Sequence, residues 1–93
     1  HKTAWAESDN VFQNQMAIWN SKRELASEYL VKAENQFKEG DELGGCAYQM
    51  QASSYGIEAT NALINAMEAA ETLDGMENLL NGLKKWKELG EIC

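Results

Sequence analysis

DELGGCAYQM (41–50) and NALINAMEAAETL (61–73) open and close the stretch whose reading decides the fold. Between Asp41 and Leu73 the apolar residues recur at helical spacing on two sides. Ile57, Ile64 and Met67 form one stripe, and Tyr55, Ala59, Ala62, Leu63, Ala66, Ala70 and Leu73 form a second beside it. A helix apolar on two faces needs two partners, so this one belongs in the middle. Ala52, Ala59, Ala62, Ala66 and Ala70 favour close approach of those partners, because the distance between helix axes follows side-chain size at the contact. The charge of the segment has one sign. From Glu39 to Leu83 there are Glu39, Asp41, Glu42, Glu58, Glu68, Glu71, Asp74 and Glu77 but no Lys or Arg.

Upstream, Trp5, Phe12, Met16, Trp19, Ala26, Leu30, Ala33 and Phe37 recur as one amphipathic stripe, which predicts a helix over 4–39, or one starting at Val11 if Ser8, Asp9 and Asn10 cap it. Gly40 stops it by taking the left-handed conformation, and Asp41 caps the next helix, predicted over 43–73. Gly44 and Gly45 weaken that helix's first turn and place its regular start near Cys46, while Ser53, Ser54 and Gly56 form a second weak point, where a continuous helix is expected and a bend or a break is the alternative. Asp74 and Glu77 have the spacing of a capping box for a third helix over 75–89. Met76, Leu79, Leu80, Leu83, Trp86 and Leu89 are its apolar stripe, and Gly90 ends it. The fold class is therefore all-α: one domain over 1–93, a small up-down-up bundle of three helices, or four if the central one breaks.

That topology puts the start of the second helix and the end of the third at the same end of the bundle, where Cys46 and Cys93 face each other. The central helix runs about 40 Å from Cys46 and the third about 25 Å. The bridge thus needs either an extended tail after Gly90 or a bend near Gly56. A Cys46–Cys93 disulfide is the expectation, and it implies an oxidising compartment, periplasmic or secreted. His1 as first residue fits either a chain whose leader has been removed or a tag remnant.

Composition excludes several functions. With a net charge of −7 the chain lacks the basic face that nucleic acid demands. No apolar run approaches the roughly 20 residues of a membrane-spanning helix, so no membrane insertion is expected. The single histidine, His1, supports no catalytic triad or firm metal site, the carboxylates do not follow an EF-hand loop, and Met16, Met50 or Met67 would lack a second axial ligand for haem. Neither an enzyme nor a resident cofactor is expected.

What remains is a non-enzymatic binding module. Its acidic face, Glu58, Glu68, Glu71, Asp74 and Glu77, would meet a basic surface on a protein partner, with Trp5 and Trp86 as candidate partly exposed anchors, a core place remaining the alternative for Trp86, and Trp19 in the core. In size, charge and class the chain is similar to periplasmic immunity proteins that neutralise secreted bacterial toxins, although it shares no motif with them. Two alternatives stand beside this one: a carrier of a small apolar or metal-containing ligand between the helices, and a self-associating structural subunit forming a homo-oligomer.

Overall fold

Helix α1 spans Lys2–Lys38, α2 Glu42–Ala69 and α3 Met76–Glu91, running up, down and up. The structure, a computed structural model, describes the backbone from residue 2 and the side chains from residue 9 onward. The expectations for His1 and for the Trp5 side chain lie outside those residues. Among the described residues there is no strand.

The two-faced reading of the central helix is met by its two partners. Among the described residues α1 and α3 both pack on α2 and not on each other, so the three helices form an open, elongated array. Its radius of gyration is 15.9 Å, against about 12 Å for a compact chain of this length.

Among the described residues the buried apolar ones are all small: Ala26 and Ala33 on α1, and Ala52, Ala59, Ala62 and Ala66 on α2, most of them seven residues apart. Larger side chains, such as Tyr29, Leu30, Ile64 and Trp86, are half-buried at the flanks. An alanine seam lets the backbones approach closely, so cohesion comes from many short-range dispersion contacts rather than from large buried side chains. The antiparallel register of α1 on α2 is fixed by contacts from Phe37 to Gln15. Phe37 lies against Gly45, where an added Cβ would come 2.5 Å from the ring. Tyr29 sits between Tyr48 and Tyr55, with ring centroids 5.8 and 5.3 Å away. Lys22 pairs with Glu58 at 3.0 Å, and Asn65 Nδ2 donates to Gln15 Oε1.

The seam between α2 and α3 turns on Gly56. A Cβ there would fall inside the Trp86 indole, so the glycine is the floor on which that ring rests. Ser53 Oγ donates to the Trp86 carbonyl at 2.6 Å, and Gln49 Nε2 donates to the Leu89 carbonyl at 3.0 Å. The second bond satisfies one of the carbonyls that the last turn of a helix leaves without an intrahelical partner. The Cys46–Cys93 disulfide closes the same end across 47 residues, with Cα atoms 5.5 Å apart. α2 remains unbroken through Gly56. The length difference is absorbed because α2 ends early and Ile92–Cys93 leave the helix, which itself continues past Gly90 to Glu91.

Three local details differ from the sequence reading. First, α2 is regular from Glu42, because Asp41 Oδ1 accepts from the Gly44 N–H at 2.9 Å and Gly45 makes room for Phe37. Secondly, α2 stops at Ala69, not near Leu73. Gly40 N–H to Phe37 O and Asp41 N–H to Gln36 O close α1 in a Schellman motif, and Glu71 N–H to Glu68 O with Thr72 N–H to Met67 O close α2 in the same way. In α1 the left-handed residue is Gly40, with φ 87°; in α2 it is Glu71, with φ 56°. Thirdly, the expected capping box is not formed. Gly75 occupies the N-cap with φ 78° and no side-chain cap bond, which leaves Asp74 one position too early, its N–H bonded to Thr72 Oγ1.

A left-handed glutamate carries the steric cost of its Cβ. Glu71→Gly is therefore expected to raise the unfolding free energy by about 1 kcal/mol, read from the urea midpoint. A loss of stability would show that the Glu71 side chain makes a compensating interaction.

Candidate functional site

The chain reversal between α2 and α3 gathers Glu68, Glu71, Asp74 and Glu77 within ten residues, all of them exposed. Glu68 stands in the last turn of α2, and Glu71 and Asp74 follow directly in the connection. The end of a helix carries a partial negative charge from its free carbonyls, and cations are the groups that stabilise it. Here the last turn of α2 has no basic residue. Three carboxylates are thus set beside a helix terminus that already repels them; only Glu77, in the first turn of α3, sits where the dipole favours an acid.

The ion pairs among the described residues are Lys22–Glu58 and Lys38–Glu34, so neither involves this corner. The positive side chains Lys84, Lys85 and Lys87 belong to the later turns of α3, toward the opposite end. Within the acidic corner Leu73 is 81% exposed, and Leu80 on the adjoining turn of α3 is 53% exposed. An apolar spot bordered by unpaired carboxylates has the arrangement of a small interface, with an apolar centre and a polar rim.

Glu58 stands apart from the other four. It lies ten residues up α2 from Glu68, about 15 Å along the helix, and it faces α1 through its bond to Lys22. Trp86 rests on Gly56 in the seam between α2 and α3. Trp19 is half-buried, with the Arg23 guanidinium 4.9 Å from its ring.

The structure also assembles a group that the reading of charge by segment passed over. Lys22 lies over Tyr55 at 5.3 Å, and Lys32 lies over Tyr29 and Tyr48 at 4.7 and 5.8 Å. These rings and ammonium groups interlock α1 with α2 through cation–π attraction. The signal was present in the spacing: Lys22 and Tyr29, like Tyr48 and Tyr55, are seven residues apart and so share a side of their helix. No group of His, Cys, Asp or Glu side chains among the described residues is placed to hold a metal ion, and no described helix is long and apolar enough to cross a membrane. Compared with protein families, characterised proteins and solved structures, the chain shows no significant similarity to any of them.

Proposed function

We propose that this chain is a small non-enzymatic protein-binding module of an extracytoplasmic compartment, of inhibitor or immunity type, whose acidic corner docks a basic protein surface. The observation that carries the proposal is the placement of the charge. Stability alone would put glycine at position 71 and a cation near position 68, whereas the chain has glutamate at both, one of them left-handed. Local rules broken together at one exposed corner are the mark of selection for something other than folding. A basic partner would relieve the repulsion, and Leu73 and Leu80 offer it an apolar contact. Steering by the net charge of −7 would speed encounter and make it sensitive to salt. The disulfide supports the compartment, since such bonds rarely persist in a reducing cytosol.

The test compares wild type with Glu68→Lys/Glu71→Lys, both immobilised and exposed to a non-cytosolic extract of the source organism. Wild type is expected to retain a basic protein that salt releases. The charge-reversed variant, checked for intact helicity by circular dichroism, should retain no more than about a tenth as much. Equal retention by the two would remove the acidic corner from the account.

A further inference from the structure

Leu43, Met50, Ile57 and Ile64 are spaced seven residues apart and form one line along α2. Leu43 is 87% and Met50 54% exposed, and the two isoleucines are half-buried. On either side of Met50 the helix is uncharged: from Leu43 to Ile57 there is no Asp, Glu, Lys or Arg. Where this line meets α3 there is an open recess of ≈ 340 Å³, lined by Met50, Ser54, Ile57 and Gly90 together with Lys87 and Glu91. In a chain of net charge −7, this exposed apolar line is bordered on its α3 side by one lysine and one glutamate.

The line is complementary to itself. A two-fold axis crossing α2 midway between Met50 and Ile57 sets Met50 on Ile57 of a second copy, and Leu43 on its Ile64, with the helices antiparallel. The midpoint falls beside Ser53, and Ser53 is level with the turn from Trp86 to Gly90 on α3: its Oγ bonds the Trp86 carbonyl, and a Cβ on Gly90 would lie 2.6 Å from it. The same axis therefore crosses α3 between Lys87 and Glu91. Those two residues carry opposite charge and are not paired with each other. The rotation brings Lys87 of each copy to Glu91 of the other. Apolar register and charge register thus coincide on one axis.

From this coincidence we infer that the α2–α3 edge is the interface of a symmetric, antiparallel homodimer, separate from the acidic corner. One edge of two helices buries on the order of 1,000 Å² in total, the low end for specific association, so the dimer is weak and reversible.

Sedimentation equilibrium between about 1 µM and 1 mM reads it. The expected result is a concentration-dependent mass reaching twice the monomer. Met50→Glu should raise the dimer dissociation constant at least about tenfold, and Lys87→Glu or Glu91→Lys alone about tenfold, since each removes two symmetric pairs. The double reversal Lys87→Glu/Glu91→Lys should return to within about threefold of wild type, because both pairs re-form with the signs exchanged. Met50, Lys87 and Glu91 are all exposed, so these variants keep the fold. A monomer at every concentration would overturn the proposal and leave the edge to a different protein. A dimer indifferent to Met50→Glu, or single reversals that the double fails to rescue, would overturn it equally.

Discussion

Replacing both Cys46 and Cys93 by serine is expected to lower the unfolding free energy by about 4 kcal/mol, the chain-entropy value for a closed loop of this length. The bridge joins residues 47 apart, and without it the unfolded chain gains the freedom of nearly its whole second half. The effect is large because the core is thin: among the described residues every buried apolar one is alanine, and domains of this size have only about 5–15 kcal/mol in total. α3 depends on the bridge most. It has no buried residue of its own and packs on α2 alone. Urea unfolding of the double variant, followed by circular dichroism, should show the midpoint falling steeply, and a change below about 1 kcal/mol would mean that α3 is held by its seam alone.

The second large effect is at Gly56 and Trp86, and it changes sign with background. In wild type, Gly56→Ala drives a Cβ into the indole; displacing the ring costs about 1–3 kcal/mol, which outweighs the roughly 1 kcal/mol that alanine gains over glycine inside a helix. Trp86→Ala by itself should cost about 3 kcal/mol, as the seam loses its largest side chain. With the indole gone the obstacle is gone too. Gly56→Ala should then stabilise by about 1 kcal/mol, and the double-mutant cycle should show a coupling of 1 kcal/mol or more, about the size of the clash. Gly56→Ala that destabilises equally in both backgrounds would show that Trp86 is not what the glycine accommodates.

Much of this architecture is legible in the chain itself. The alanines of α2 lie on a face at helical spacing, Gly40 and Asp41 carry the stop and start signals they are seen to use, and up-down-up topology alone brings Cys46 to Cys93. The end of α2 was hidden for a physical reason. Ala69, Ala70 and Glu71 are all strong helix formers, and nothing in their propensity foretells that Glu71 will turn left-handed. The missing capping box has the same origin, since Asp74 and Glu77 have the right spacing and only the position of Gly75 decides against them. The acidic corner was half legible. Four of its carboxylates could be grouped by sequence, but Glu58 was grouped with them because its partner, Lys22, lies 36 positions earlier in the chain. The Trp86 stacking against Gly56 likewise depends on a contact between distant residues, which no local pattern specifies.

The most direct test of the central claim is zero-length cross-linking, which joins a carboxylate to a lysine amine only where the two are in contact, performed on the complex retained by the immobilised wild-type protein. Links are expected from Glu68, Glu71, Asp74 or Glu77 to lysines of one basic partner, lost when salt dissociates the complex. Links that arise instead from Glu24, Glu28 or Glu34 on α1, or a retained partner that yields none at the corner, would contradict it.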